Sequence, residues 1–295
     1  MISGFIIPYV ARNETRFEFC VKRIARIYPV FFVSIVFYAL LKLVTNHSIL
    51  SFDLTPEGLF LSLTFLNFFF DVPAINDIAW TLVVEVLFYI WIAMNLHHVY
   101  RRPHLVIVLT ASLSALAIFC AYQGFAINFF KWLIPVNFMF LGTLIYLRWS
   151  VGISRHIFFL SSAFFWIAFL VGLNITSASF ERVAALPISY GLAYIIFGLF
   201  FLSEHCFRKL DPITAFLSHT SYSIYLYHNR FGIILLSALL PIAPYSTALV
   251  LVFGLILVMS YFSWKYIEHP FQKWARAFIT KRSASSVATM SLLNR

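Results

Sequence analysis

The chain has 295 residues, of which 62% are hydrophobic and 11% charged, with a mean hydropathy of +0.89. Soluble domains run at about 45–50% apolar and about 25% charged. An ordinary soluble globule, a disordered chain and a nucleic-acid-binding domain are thereby excluded, and a polytopic helical membrane protein remains. The net charge of +10 has to be read from its placement, as topology, anionic lipid or another anion.

A spanning helix needs about 20 predominantly apolar residues. Eight segments meet this: 28–46, 78–96, 104–122, 132–148, 156–175, 184–203, 214–240 and 246–266. The apolar pieces 2–10 and 58–70 are too short. The expected fold is all-α, a polytopic transmembrane helix bundle. It has about eight full spans, a short N-terminal remnant and one re-entrant or interfacial segment. The transmembrane domain is expected over residues 1–279, and the Ser-rich stretch 280–295 as a disordered cytoplasmic tail. Met1 leads straight into an apolar run without a basic stretch, so no cleavable signal peptide is expected. Cys20, Cys120 and Cys206 lie far apart and suit buried thiols better than a disulfide or zinc framework.

Basic residues orient the spans. Arg12, Arg16, Lys22, Arg23 and Arg26 precede the first span, and Arg101 with Arg102 follows the second. Arg148, Arg155, Arg208 and Lys209 fall in later loops of the same parity, and Lys265 to Arg295 close the chain. Threading eight spans puts 17 of the 21 basic residues on one side, taken as cytoplasmic together with the C-terminus. The outer loops carry Asp53, Glu57, Asp71, Asp77 and Glu181, against Lys131 and Arg182. If 58–70 crossed the membrane, Arg101 and Arg102 would fall outside, so parity argues that it dips in or packs against the bundle. The sequons at Asn46 and Asn174 lie on the outer side.

Four stretches carry candidate chemistry. Arg12, Arg16, Arg23 and Arg26 recur at helical spacing, and Pro29 marks where the chain enters the membrane. Their plain role is an anchor on anionic lipid, and their sharper role is a phosphate clamp for a nucleotide-like donor. In the second stretch, Trp80 opens a run in which Thr81, Glu85 and Tyr89 share one helix face. An intramembrane carboxylate is costly and reads as functional, although a structural helix tie is a rival. In the third, Ser221, Tyr225 and His228 share a face, and His228-Asn229-Arg230 falls near mid-membrane. That depth allows an ion pair or proton link among Glu85, His228 and Arg230. The fourth, Tyr266 to Lys273, holds Glu268 and a Pro270 expected to end the last span, and reads first as a helix-end lock. His97, His98 and His104 suit an interface better than a metal, and no metal site is expected.

Together these stretches resemble the acyltransferase 3 family of multi-pass membrane proteins over residues 1–275. The resemblance rests on Ser3-Gly4-Phe5-Ile6-Ile7, Lys22-Arg23-Ile24-Ala25-Arg26-Ile27-Tyr28-Pro29, Trp80-Thr81-Leu82-Val83-Val84-Glu85 with Phe88-Tyr89, Ser221 to His228, and Tyr266-Ile267-Glu268-His269-Pro270-Phe271. It implies ten spans and transfer of an acyl group, often acetyl, from a cytoplasmic donor such as acyl-CoA. The implied acceptor is a hydroxyl on an extracytoplasmic glycan, glycolipid or small molecule. The family's Arg-x-x-Arg falls on Arg23 and Arg26, as donor-phosphate ligands.

Glu85 and His228 are assigned to acceptor binding or proton handling, with Trp80, Tyr89, Ser221, Tyr225 and Arg230 as substrate-binding neighbours. No bound cofactor is expected, since acyl-CoA is a substrate. The partners implied are donor, hydroxylated acceptor and membrane lipids, in the cytoplasmic (inner) membrane. Family members place a first span with an Arg and a His before the Ser-Gly-Phe motif. Here Met1 stands two residues before that motif, so this span and most of the second are expected to be lacking. No residue inherits that His, and His228 matches another position. The rival readings are an inactive truncated homologue and a glycolipid or small-solute carrier.

Overall fold

The computed structural model describes residues 1–45, 48–70, 72–176, 180–202 and 211–293, with side chains over the same ranges except 180–187, 200–202 and 283–293. Asn46, Asp71, Cys206, Arg208 and Lys209 lie outside these residues, as do the side chains of Glu181 and Arg182. The chain is all-α, with no strand among the described residues. In order it forms α1 (Ile2–Ala11), α2 (Arg16–Thr45), α3 (Pro56–Leu63), α4 (Trp80–Arg101), α5 (Pro103–Tyr122), α6 (Ile127–Phe130) and α7 (Ile134–Tyr146). There follow α8 (Arg155–Thr176), α9 (Phe180–Leu202), α10 (Pro212–Tyr227), α11 (Arg230–Leu239), α12 (Tyr245–Ser263) and α13 (His269–Leu293).

Six helical stretches among the described residues are long and apolar enough to cross a membrane: Arg16–Thr45, Asp77–Arg101, Pro103–Tyr122, Ile127–Val151, Arg155–Thr176 and Tyr245–Arg282. Residues such as Phe159, Leu160 and Val250 are largely exposed on these helices, as suits lipid-facing positions. Three expectations need correcting. The segment 214–240 is not one helix: α10 stops at Tyr227 and α11 starts at Arg230. The segment 58–70, expected as a re-entrant or interfacial piece, forms α3 and a 3-10 turn at Leu66–Phe68, with Phe65 left-handed at φ 61 between them.

The second correction concerns Pro270, which does not end the last span. A π turn at Trp264–Glu268 passes the chain from α12 into α13. Pro270 follows this turn directly, where the helical hydrogen-bond register changes. Helix α13 runs from His269 to Leu293, and no Gly or Pro follows Pro270 within it. Finally, the basic stripe does not share one helix. Helix α1 ends at Ala11 and α2 begins at Arg16, so Arg12 lies in the turn between them.

Two compact units result, residues 1–16 with 81–209 and residues 17–80 with 210–295. In the first unit α7 is buried on nearly every side and α1 lies against it. The approach is close because of glycine. A Cβ on Gly4 would sit 1.7 Å from the Met139 carbonyl oxygen, and one on Gly142 would sit 2.1 Å from the Met1 carbonyl oxygen. Pro8 supplies no N–H to the carbonyl four residues back, that of Gly4. Thr143 Oγ1 donates to this oxygen instead, at 2.8 Å. At the end of α1, Tyr100 Oη donates to the Pro8 carbonyl at 2.7 Å, meeting a terminal acceptor the helix cannot.

In the second unit, α3 packs on α2: Phe65 stacks on Phe31 at 4.4 Å and Tyr28 Oη donates to the Leu63 carbonyl at 2.6 Å. Helix α3 starts on a Thr55 cap whose hydroxyl accepts the Gly58 N–H at 3.0 Å. Ser223 on α10 and Ser263 on α12 bond at 3.2 Å. Phe37 meets Tyr227 and Phe231 edge-on at 5.6 and 5.1 Å, which ties α2 to both halves of the broken segment.

Candidate functional site

The expected site residues divide between the units. Thr81, Glu85 and Tyr89 belong to the first, and Arg23, Arg26, Trp80, Ser221, Tyr225, His228 and Arg230 to the second. Along α4, the four-residue spacing lets Tyr89 Oη reach back one turn to Glu85 Oε1 at 2.5 Å. Tyr89 is buried and Glu85 half-buried. The carboxylate therefore has an oriented donor in Tyr89 and lies within the electrostatic reach of the Met1 amino group.

The second unit centres on the break between α10 and α11. A helix that stops leaves its last carbonyls without partners. Here the Leu226 carbonyl accepts from Tyr38 Oη at 3.0 Å and from Asn76 Nδ2 at 3.2 Å. Asn76 also donates to Ser34 Oγ at 3.3 Å. Arg230, at the first position of α11, is 8% exposed. It donates to the Ile75 carbonyl at 3.1 Å, pairs with Asp77 at 3.1 Å and lies 5.5 Å from the Phe52 ring. Tyr225 Oη donates to the Ile78 carbonyl at 2.6 Å. Residues 75–78, which lead into Trp80 and α4, are thus held to the break by two side chains of the broken segment and by Asn76.

His228 caps α10. Its Nδ1 faces the carbonyls of Tyr225 at 2.9 Å and Ile224 at 3.2 Å. A carbonyl only accepts, so Nδ1 carries the proton and a neutral ring leaves Nε2 as an acceptor. The ring is exposed. Ser221 is exposed and donates to the Ser218 carbonyl at 3.0 Å, and Trp80 is 39% exposed. The charge partner of Arg230 is Asp77, which sequence alone places only among the outer-loop acids. The available signal was Asn76-Asp77 directly before Trp80.

Arg23 and Arg26 stand three residues apart on α2 but differ in surroundings. Arg23 is 8% exposed and lies 5.1 Å from the Phe19 ring, whereas Arg26 is exposed. Glu268, in the π turn, is buried, accepts from Gln272 at 3.0 Å and lies within the electrostatic reach of Arg26. Glu268 thus sits at the π turn inside a continuing helical stretch, where the sequence leads one to expect a helix end.

At the N-cap of α10, outside the apolar stretches, Asp211 accepts from the Thr214 N–H at 2.8 Å and from its hydroxyl at 2.9 Å. These bonds hold its carboxyl below the usual carboxylate range.

No curated protein and no solved structure matches the chain. Residues 1–265 match the acyltransferase domain of the acyltransferase 3 type. That match takes in α1 to α12 and both groups of polar residues, and the chain belongs to the acyltransferase 3 family of membrane proteins.

Proposed function

We propose that this protein is a membrane O-acyltransferase. It moves an acyl group, acetyl in the simplest case, from a cytoplasmic acyl-CoA to a hydroxyl on an extracytoplasmic glycan, glycolipid or small molecule. The observation that carries this reading is the acyltransferase match over residues 1–265.

In the reaction the acceptor oxygen bonds to the thioester carbonyl carbon and the carbon–sulfur bond breaks. The hydroxyl proton passes to a base, and the CoA thiolate leaves and is protonated. Glu85, oriented by Tyr89, and His228, with Nε2 open as an acceptor, are the groups we assign to proton handling and acceptor binding. Trp80, Ser221 and Tyr225 are assigned to the acceptor side. Arg230 is a positioning residue through Asp77 and Ile75. Arg23 and Arg26 are assigned to the donor phosphates, with exposed Arg26 the one able to reach a ligand directly.

The test supplies purified protein in lipid nanodiscs with labelled acetyl-CoA and a panel of hydroxylated glycans. Label is expected in an ester that mild base removes. Absence of donor turnover with every acceptor and in acceptor-free hydrolysis would count against the enzyme reading. Turnover unchanged in Arg26→Gln would remove Arg26 from the donor site.

A further inference from the structure

The first unit holds an open cavity of about 610 Å³ whose lining includes Arg12, Glu14, Arg16, His97, His98 and Arg101. Its walls come from the α1–α2 turn and from the last turn of α4, segments about 80 residues apart in sequence that fold together in one unit. Its lining carries three arginines and two imidazoles against a single carboxylate. The fields of Arg101, Arg16 and Arg102 all reach His97.

A lipid-anchoring stripe needs only cations scattered along one face. Cations from two segments around a concavity repel one another, and the concentrated field draws in an anion. Two of the guanidinium groups are anchored at one point each: Arg12 Nη1 on Ser150 Oγ at 3.4 Å and Arg16 Nη2 on the Met94 carbonyl at 3.1 Å. Each guanidinium has five N–H donors, so each retains donors beyond that anchor. Both side chains, together with His97 and Arg101, are exposed. The volume falls in the range of small-molecule sites, about 300–1,000 Å³. It has room for a phosphorylated headgroup or nucleotide, well beyond a lone ion.

We infer that this cavity is a phosphoryl-binding site, additional to Arg23 and Arg26, that takes a phosphate or diphosphate ester through Arg12, Arg16 and Arg101 with His97 and His98 as supporting donors. The ester belongs either to the nucleotide half of the acyl donor or to an anionic phospholipid headgroup. The inference rests on the acyltransferase reading only for the first of these sources.

The test uses the full chain in nanodiscs, as wild type, His97→Gln/Arg101→Gln and Lys131→Gln. The double variant spares the two anchored arginines, and a thermal unfolding curve checks that it folds. One arm measures binding of labelled adenosine 3′,5′-bisphosphate in neutral lipid. The other measures retention of phosphatidylglycerol after exchange into detergent.

The expected result is saturable binding in one arm, competed by inorganic pyrophosphate and weakened at least about tenfold in the double variant, with Lys131→Gln like wild type. That factor corresponds to about 1.4 kcal/mol. The arm that responds names the source. Binding of both probes that is absent, or indifferent to the double substitution in a folded protein, overturns the inference. Acyl transfer that proceeds while both arms are indifferent leaves the enzyme reading intact and sinks the cavity site alone. Bisphosphate binding without acyl transfer does the reverse.

Discussion

Glu85 shows how one side chain can be legible while its surroundings are not. A carboxylate in an apolar run with Tyr89 four residues on predicts a helical pair, and the 2.5 Å bond is that pair. If Glu85 handles the acceptor proton, Glu85→Gln keeps the shape and should lower turnover by about a hundredfold or more. Tyr89→Phe removes only the orienting donor and should cost far less. Steady-state rates at saturating donor separate the two, and equal losses would argue for a purely structural tie.

Arg230 makes the opposite case. Its place after His228 says nothing of the partners that its own unit supplies, Asp77 and the Ile75 carbonyl. The Asp77 side chain is 49% exposed although the Oδ1 that meets Arg230 is buried, so water reaches the other carboxylate oxygen and screens part of the pair. The buried guanidinium and its carbonyl bond carry more. Arg230→Met should therefore lower stability by about 1–3 kcal/mol, and Asp77→Asn by less. Thermal unfolding in one detergent reads both, and the reverse ranking would contradict this partition.

At the scale of single helices, proline and glycine decide more than hydropathy. Pro8 leaves the Gly4 carbonyl open and Thr143 closes it, across a contact that tolerates no Cβ. Gly4→Ala would put its methyl 1.7 Å from backbone that cannot rotate away, so α1 must lift from α7. A cost of about 1–3 kcal/mol or more follows from such overpacking. Gly254→Ala on α12, with nothing within 4 Å, should be neutral or stabilising by up to about 1 kcal/mol. Paired melting curves test the contrast.

The start of α10 offers a pH-dependent counterpart. The Asp211 carboxyl is held below its ordinary range by Thr214, so the folded state favours the charged form. Its stabilisation is present above the unfolded value, about 3.9, and is lost as pH falls through the lower folded value. Asp211→Asn keeps a capping side chain and should flatten that part of the stability profile below about pH 4. A profile that keeps its full acid slope in the variant would assign the slope elsewhere.

For the whole chain, the placement of charge turns a net +10 into topology. In a background without the three cysteines, Ser154→Cys should label from the side bearing the basic loops and Ser246→Cys from the opposite side. Both serines are exposed. Labelling of the two from the same side would break the parity on which the cytoplasmic assignments rest.

The sequence by itself determined the all-helical membrane class, the family and the residues worth watching, because apolar length, charge bias and short motifs are local quantities. The tertiary structure decided where helices break and which partners they then find. It split 214–240 at His228 and handed the Leu226 carbonyl to Tyr38 and Asn76. It also paired Arg230 with Asp77 and gathered Arg12, Arg16 and Arg101 around one cavity. The physical reason is common to these cases. Hydropathy reports how much apolar surface a segment presents to lipid, whereas a freed carbonyl or a buried cation is satisfied by side chains far off in sequence.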